Sequence, residues 1–395
     1  MSRLAKRKLS NSREAVRRRK AFFSFMVIFG VLVVAAVCVV LLISALSQVE
    51  NVKTLRIEAM EYRKIEALPT QSELTEQRHL DEMKQIDKIF SQQGAQPIEE
   101  VIQTPYFVLF DSTDQKVLFS KDADVRAFPA STTKVLTAAL VAKYADEETI
   151  FTAGDEQDMV SAGSSLANIQ KGQQLDRDML IDALMLPSGN DAAYLAAAVV
   201  GRIIADDKTL SAEKAVQVFV DEMNRTAESL GCKNTHFTCP DGFHDEEHYT
   251  SAMDLMRITV FSEDFPEVAV SGAKTHRDLI YLTGEAISWS NSNKLITEGS
   301  GYYYPYATGL KTGMTEKSGF CIIASAERFG HELVIVSLGC DDSNVRYNEC
   351  IALFDEGFAY IKAQQESGSA EAPDAEVPDS ETEDETDAEE APAME

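Results

Sequence analysis

Two adjoining segments decide the fold: Pro129-Ala130-Ser131-Thr132-Thr133-Lys134 and the almost wholly apolar Val135-Leu136-Thr137-Ala138-Ala139-Leu140-Val141-Ala142. A helix that is apolar on every side is a buried helix, so the second segment predicts a helix in the core. Ser131 and Lys134 are three residues apart, a spacing that places two side chains on one helix face about 5–6 Å apart at Cβ. The sequence therefore predicts a hydroxyl beside an amine at the positive end of a buried helix, a candidate nucleophile and its base.

Two further motifs lie downstream, each at a predicted element boundary. Ser188-Gly189-Asn190 follows an apolar helix pattern that ends at Pro187, and Lys311-Thr312-Gly313 ends a strand pattern just before Met314. Separately, the three motifs have ordinary explanations: a helix cap with an extended lysine, a loop, and a turn after a strand. Together and in this order they match the motif set of penicillin-binding proteins and class A β-lactamases.

The predicted elements around these motifs favour an α+β fold. Strand patterns occur at both ends of the region and helix patterns in its middle, so the first hairpin must complete the later sheet. We expect one antiparallel sheet flanked by helices, with an all-helical middle region. The strand patterns cover Tyr106–Phe110, Lys116–Phe119, Asp278–Trp289, Ala307–Lys311, Gly319–Ala326 and Glu332–Leu338, and the helix patterns cover Ser131–Tyr144, Met179–Met185, Asp191–Ile204, Ala212–Leu230, Ser251–Phe261 and Asn344–Lys362.

Over roughly residues 105–362 the sequence resembles the serine D-alanyl-D-alanine carboxypeptidases, the low-molecular-mass penicillin-binding proteins of bacterial cell walls. The resemblance implies a β-lactamase/DD-peptidase-like fold, a peptidoglycan stem peptide ending in D-Ala-D-Ala as substrate, and β-lactam antibiotics as covalent inhibitors. It implies no cofactor and no metal. Beyond the three motifs it includes Phe219–Asn224, Leu230-Gly231, Thr235–Phe237, Pro240–Gly242, His248–Leu255 and Gly309-Leu310.

The chemistry of the side chains and the resemblance suggest the same catalytic roles. Ser131 would attack the carbonyl between the two D-alanines, with Lys134 as its base because no histidine lies near any motif in the sequence. Burial and the charge of Lys311 would lower the pKa of Lys134. Ser188 would relay a proton to the leaving amine, and Asn190 would hold the substrate amide and Lys134. The expected substrate-binding residues are Lys311, Thr312, Gly313 and Met314, with the backbone N–H groups of Ser131 and Met314 as the oxyanion hole that the resemblance implies.

Two other patterns compete with this interpretation. His244-Asp245-Glu246-Glu247-His248 matches a zinc-peptidase pattern, but that chemistry needs a helix, and the charged run after Pro240-Asp241-Gly242 is typical of an exposed loop. A second Ser-x-x-Lys, Ser211-Ala212-Glu213-Lys214, lies in an ordinary charged helix pattern and is interpreted as a coincidence.

Charge is distributed unevenly along the 395 residues, whose net charge is −27. Residues 1–20 contain nine Lys or Arg and one Glu, whereas residues 366–395 contain thirteen Asp or Glu and no Lys or Arg. The remainder is acidic, and since phosphate binding needs a basic face, we expect no nucleic acid partner.

Six cysteines are few for this length, and no Cys-x-x-Cys pair occurs. This spacing gives no indication of a zinc site or a redox dithiol. Buried free thiols are the favoured interpretation, with a Cys232–Cys239 disulfide as the alternative.

The N-terminal region predicts a membrane anchor. Residues 21–49 carry no charge, and a bilayer core needs about 20 apolar residues in a helix. By the positive-inside rule, residues 1–20 would form a cytoplasmic tail, and the single-pass helix would place the catalytic domain on the extracellular face of the cell membrane. A cleaved signal at Ala45-Leu46-Ser47 and a nucleic-acid-binding arm are the alternatives.

The other boundaries follow from composition. Residues 50–100 are polar and helix-favouring, with a capping box at Thr70-Gln71-Ser72-Glu73, and predict a helical stalk before a catalytic domain over 101–363. Residues 364–395 are acidic, without aromatic side chains, and predict a disordered tail, or alternatively an acidic binding tail.

Three functions remain open from the sequence. The favoured one is a membrane-anchored D,D-carboxypeptidase. A β-lactamase on the same fold is disfavoured because no Glu-x-x-Leu-Asn segment lies between Ser188 and Lys311. A catalytically inactive cell-wall- or partner-binding protein is the third. Three features depart from the pattern of the family. Met314 stands where relatives frequently have an aromatic or His residue, the predicted anchor is N-terminal, and the region after Lys311 is short.

Overall fold

The computed structural model describes residues 37, 84, 87–90 and 102–370. All of these except Val37 fall within one compact unit, His79–Glu395. The predicted membrane helix apart from Val37, most of the predicted stalk, and residues 371–395 lie outside the described residues. Within the part that is described, no helix combines the length and apolar character needed to cross a bilayer.

Strands occur at both ends of the described region and most helices between them, as the sequence predicts. The strands are β1 (Tyr106–Asp111), β2 (Lys116–Lys121), β3 (Phe151–Thr152), β4 (Gln174–Leu175), β5 (His276–Ile280), β6 (Ala286–Ser290), β7 (Ala307–Thr315), β8 (Gly319–Arg328) and β9 (His331–Cys340). The α-helices are α1 (Lys134–Tyr144), α2 (Arg177–Met185), α3 (Asn190–Ile204), α4 (Ala212–Ser229), α5 (Ala252–Ser262), α6 (Pro266–Gly272) and α7 (Ser343–Ala370). Short 3-10 helices span Ala130–Thr133, Asp155–Met159 and Lys294–Ile296.

The main sheet has five strands in the order β2-β1-β9-β8-β7, and every neighbouring pair is antiparallel. The N-terminal hairpin joins the C-terminal strands through β1, where Leu109 lies opposite Ile335 of β9. The predicted α+β fold, with a first hairpin that completes the later sheet, is therefore confirmed.

The two faces of this sheet are both covered, and strand alternation decides which residue faces which layer. In β9, Val334 and Val336 pack into the core that contains α1, α2, α3 and α5. Leu333 and Ile335 point the other way, against Phe354 and Phe358 of α7. Strand β7 is one edge of the sheet, and it lies against the 3-10 helix that carries Ser131.

Helix α1 lies in the first core, as its apolar sequence predicts. All of its residues from Lys134 to Val141 are buried. The consequence for function is that Lys134, the first residue of α1, is held in the protein interior rather than at its surface.

Several boundaries differ from the predictions. The run Asp278–Trp289 forms a separate two-stranded sheet, β5 with β6, and its turn contains Gly284 with a positive φ of 103°. Helix α6 was not predicted. Helix α7 continues to Ala370, so residues 364–370 are helical rather than part of a disordered tail.

Two described residues before position 101 also contact the folded region. Phe90 is buried and stacks on Phe110 with ring centroids 5.1 Å apart. Asp87 accepts a hydrogen bond from Arg257 at 3.1 Å and pairs with Lys233 at 3.1 Å. Phe90 therefore belongs to the folded core, and Asp87 is tied to it through Arg257 and Lys233.

Candidate active site

The nucleophile candidate lies on a turn that is locked between a strand and a helix. Ser131 is in the 3-10 helix Ala130–Thr133, which leads directly into α1, so the predicted α-helical first turn is wound more tightly. The Lys134 Nζ nevertheless donates to the Ser131 Oγ at 3.0 Å. Ala130 has a positive φ of 50°, an unusual conformation for a residue with a side chain. Strain of this kind is tolerated where surrounding contacts impose it.

Lys134 is fully buried, and its amine is surrounded by oxygen atoms. Besides Ser131, it donates to the Asn190 Oδ1 at 2.7 Å and to the backbone carbonyl of Asp241 at 2.7 Å. Burial lowers the pKa of Lys134 to about 8, and the negative charges of nearby Asp241 and Asp191 limit the decrease. At pH 7 roughly a tenth of such an amine is neutral, enough to accept a proton from a neighbouring hydroxyl.

The second lysine, Lys311, lies in a contrasting environment. Its Nζ donates to the Ser188 Oγ at 2.8 Å and to the carbonyl of Thr312 at 2.8 Å, and neither partner carries a charge. Burial, reinforced by the positive charges of Lys134 and Arg346, lowers the pKa of Lys311 well below its ordinary value. Within the described part of the chain no carboxylate is hydrogen-bonded to the Lys311 amine, so the position favours a negatively charged ligand group.

Strand β7 forms the wall opposite Ser188. Thr312 is buried, and its Oγ1 lies 2.5 Å from the Ser292 Oγ. A Cβ at Gly313 would lie 2.9 Å from the backbone nitrogen of Ser131, closer than real contacts allow. Gly313 therefore permits the strand to approach the Ser131 turn, whereas Met314 is 58% exposed beside it.

The Ser188 side of the site is held by a buried carboxylate that the sequence did not indicate. Asp191, at the start of α3, accepts hydrogen bonds from the backbone of Ala167 at 2.8 Å and of Ile169 at 2.9 Å. The backbone nitrogen of Asn190 in turn donates to the Ser165 carbonyl at 2.8 Å. The loop around Ala167 is thus fixed against the residues that carry Ser188, which itself has a positive φ of 62°.

The three motifs therefore converge, although they are distant in the sequence. Ser131, Lys134 and Asn190 share one hydrogen-bonded cluster, Ser188 is bonded to Lys311, and Gly313 lies against Ser131. A family model described as D-alanyl-D-alanine carboxypeptidase matches residues 92–342. The chain belongs to the D-alanyl-D-alanine carboxypeptidase family.

Individual relatives agree with this assignment. The chain is 26% identical over 272 residues to D-alanyl-D-alanine carboxypeptidase DacF of Bacillus subtilis (strain 168), and 30% identical over 274 residues to DacA of Escherichia coli (strain K12). These alignments cover 68% and 66% of this chain, and 65% and 62% of the relatives' own lengths. The crystal structure of the Streptomyces K15 DD-transpeptidase is similar with a TM-score of 0.61 at 26% identity, covering 67% of this chain and 100% of that one.

The structure of this family member adds two groups that sequence reasoning missed. The first is the loop Pro240-Asp241-Gly242, noted in the sequence merely as family-like. Its Asp241 carbonyl binds Lys134, and a Cβ at Gly242 would lie 1.9 Å from the Ala130 carbonyl oxygen, so Gly is required there. A backbone carbonyl leaves no residue-type signal, although the glycine beside it does.

The second missed group is Arg346 of α7. It is buried beneath β7 and donates to the carbonyls of Cys321 at 2.9 Å and Gly313 at 3.4 Å. Its guanidinium lies 4.4 Å from the Tyr347 ring centroid. Arg346 thus supports the strand that carries Lys311 and adds positive charge to that side of the family site.

The competing patterns adopt other structures. His244 to His248 form a loop instead of a helix, so the helical arrangement that the zinc-peptidase pattern needs is absent there. No histidine lies near a motif along the sequence, but one does in the folded protein: the His248 Nε2 lies 3.0 Å from the Thr133 Oγ1. Among the described cysteines, Cys232 and Cys239 are both free thiols, as are Cys321, Cys340 and Cys350.

Proposed function

We propose that this protein is a serine D,D-carboxypeptidase that removes the terminal D-Ala from peptidoglycan stem peptides through an acyl-enzyme on Ser131. The observation that carries the proposal is the buried Lys134 amine, bonded to both the Ser131 Oγ and the Asn190 Oδ1. The pKa of about 8 allows this lysine to act as a general base near neutral pH.

In the first step Lys134 accepts the hydroxyl proton as the Ser131 oxygen attacks the carbonyl carbon between the two D-alanines. The negative charge that develops on the carbonyl oxygen would be stabilised by the backbone N–H groups of Ser131 and Met314. The close contact of Gly313 with the Ser131 turn supports this pairing of donors, since it brings the two backbones together.

The terminal carboxylate of the peptide would bind beside Lys311 and Thr312. The partners of Lys311 among the described residues, Ser188 and the Thr312 carbonyl, are uncharged, and a carboxylate would supply the opposite charge that favours its protonated form. Ser188, which is bonded to Lys311, can pass a proton to the amine of the leaving D-Ala as the peptide bond breaks, and it regains one from the protonated Lys134, which becomes neutral again.

Hydrolysis completes the cycle. Water attacks the ester carbonyl as neutral Lys134 accepts a proton from it, and Lys134 then passes that proton to the Ser131 oxygen as the ester C–O bond breaks. The products are free D-Ala and a peptide shortened by one residue. Penicillin would acylate the same serine by opening its lactam ring, which leaves no amine to depart and blocks the site.

We also propose that residues 21–49 anchor the protein in the cell membrane, with the catalytic unit on the extracellular face. The uncharged segment and the basic residues before it support this placement. Reaction of intact cells with a membrane-impermeant penicillin would test it: labelling supports an extracellular site, and labelling solely after lysis would overturn it.

The activity itself is tested by release of D-Ala from a synthetic peptide ending in D-Ala-D-Ala, together with labelling by a fluorescent penicillin. The wild-type protein should do both, Ser131→Ala should do neither, and Ser211→Ala should behave as wild type. Labelling without release of D-Ala would support an inactive binding protein. Turnover of many penicillin molecules per second would indicate a β-lactamase instead.

A further inference from the structure

The loop that carries Asp241 is held in place at its two ends. His236 and Tyr249 form an isolated β-bridge, and Thr250 forms another with Ala127, just before the Ser131 turn. Between these ends the loop delivers the Asp241 carbonyl to the Lys134 amine. The geometry of the base therefore depends on how this loop is fixed to the turn that carries Ser131.

The side chain of His248 joins the loop that carries Asp241 to the turn that carries Ser131. It is 2% exposed, and its Nδ1 lies 3.1 Å from the backbone nitrogen of Thr238, which can only donate. The Nδ1 is therefore the acceptor, and the ring hydrogen is on Nε2. The Nε2 donates to the Thr133 Oγ1 at 3.0 Å, so the neutral ring links Thr238 in the loop to Thr133 in the catalytic 3-10 helix.

The packing around the ring leaves this link little freedom. Phe237 contacts the imidazole edge-on with centroids 5.4 Å apart. A Cβ at Gly242 would lie 2.8 Å from the Thr133 Oγ1, so the loop also presses against the hydroxyl that receives the hydrogen bond. Thr137 of α1 donates to the Pro240 carbonyl at 2.6 Å. The loop, the 3-10 helix and α1 form one packed unit with His248 at its centre.

We propose that His248 is a positioning residue for the reaction: by tying its loop to the Ser131 turn, it holds the Asp241 carbonyl on Lys134. This inference rests on the proposed function, since it concerns the base of the same site. We assign His248 no contact with the substrate, because both of its ring nitrogens are bonded to protein groups. Its effect reaches the chemistry through the orientation of Lys134, where small misplacements cost large factors in rate.

Protonation of the ring would break the link. An added hydrogen on Nδ1 would face the N–H of Thr238, and two donors would then oppose each other. Burial lowers the pKa of His248 to about 4, the charges of Asp241 and Asp245 raise it, and those of His236 and Lys134 lower it. The uncharged groups that face the Nδ1 besides Thr238 N–H are the Cys239 Sγ at 3.5 Å and the Thr238 Oγ1 at 3.4 Å.

The direction of the pH effect follows from these contacts. The folded-state pKa lies below the ordinary value of about 6.5. The stability that the neutral ring contributes is therefore complete above pH 6.5 and is lost as the pH falls toward 4. In the folded protein the ring gains its proton near pH 4, which should release the loop and slow acylation.

The test is the second-order rate constant of acylation by a fluorescent penicillin, measured from pH 3.5 to 9 with circular dichroism to record folding. His248→Ala should acylate roughly ten- to a hundredfold more slowly than wild type at pH 7. His248→Gln keeps an amide N–H near the position of Nε2, so it should recover most of that rate. It should also lack the additional fall below about pH 4.5 that wild type shows.

Further variants keep the test decisive. Thr133→Val removes the acceptor of the same hydrogen bond with little change in shape, and it should slow acylation even if His248→Ala does not fold. His276→Gln, which replaces an exposed histidine on β5, should acylate as wild type.

Wild-type acylation rates in both His248→Ala and Thr133→Val would overturn the positioning role. A His248→Gln profile that retains the acidic fall would overturn the assignment of that fall to His248. Failure of the wild-type protein itself to acylate would instead refute the proposed function.

Discussion

The Ser-x-x-Lys pattern occurs at Ser131, Ser211 and Ser271, and the first two copies lie in contrasting environments. At Ser131 the pattern spans a 3-10 helix and the first residue of α1, with Lys134 fully buried and bonded to the serine. At Ser211 it begins α4: the serine caps the helix by accepting from the backbone nitrogen of Lys214 at 3.4 Å, and the lysine side chain is exposed. The comparison shows that the same spacing gives a buried, hydrogen-bonded pair at Ser131, the candidate catalytic pair, and an exposed helix cap at Ser211.

The largest difference should come from removal of each lysine. Lys134→Met deletes the base and leaves Ser131 without an acceptor for its proton, so acylation by penicillin should fall by about a thousandfold or more. Lys214→Met removes an exposed charge and should leave the rate unchanged. Stopped-flow fluorescence with a labelled penicillin measures both, and equal losses in the two variants would remove the distinction between the two copies.

The next largest effect concerns the strand that supports the first copy. Gly313→Ala places a Cβ 2.9 Å from the Ser131 nitrogen, so the turn or β7 must move. We expect acylation to slow by roughly a hundredfold, since a displacement of about 1 Å at a catalytic group can have that effect. The melting temperature and circular dichroism spectrum serve as controls for folding. A variant that acylates at the wild-type rate would show that β7 does not constrain the nucleophile.

A smaller and graded effect is expected from pH. Lys134 must be neutral to accept a proton, and burial lowers its pKa to about 8. Acylation should therefore rise by about tenfold per pH unit from pH 6 toward pH 8 and then level. The pH–rate profile of acylation measures this, and Lys214→Met should not displace the break. A rate that is constant between pH 6 and 8 would contradict Lys134 as the base.

The smallest effect distinguishes the second copy. Ser211→Ala removes the cap of α4 and should lower the free energy of unfolding by about 1 kcal/mol, without any change in acylation. The Ser131 hydroxyl makes no cap hydrogen bond to its own 3-10 helix, so Ser131→Ala should cost less than that. Chemical denaturation of both variants provides the comparison. A larger loss of stability in Ser131→Ala would assign Ser131 a structural role.

Much of the fold and site followed from local patterns. The apolar run after Lys134 predicts the buried helix, and three short motifs at element boundaries identify residues that do lie together. The single strand pattern over Asp278–Trp289 is instead a hairpin, because Gly284 turns the chain between β5 and β6. Phe90 falls in the segment predicted as a stalk. Its contact with Phe110 depends on tertiary packing, so no local pattern predicts it.

Other parts of the site had no local signal. The Asp241 group that binds Lys134 is a backbone carbonyl, which any residue provides. Arg346 reaches β7 from a helix that follows it in the sequence, and nothing near Arg346 marks it as part of a cleft. In the sequence His248 is one of the two histidines of a zinc-peptidase pattern. In the structure its neutral ring is buried and hydrogen-bonded to Thr133 and Thr238. These roles depend on burial and on long-range contacts.

The most direct test of the account is the intact mass of the protein after exposure to penicillin, followed by mapping of the modified peptide. We predict a single adduct with the full mass of the antibiotic on the peptide that contains Ser131, and none in Ser131→Ala. An adduct on the peptide that contains Ser211 or Ser271, or no adduct on a folded wild-type protein, would contradict the claim that the copy at Ser131 is the catalytic one.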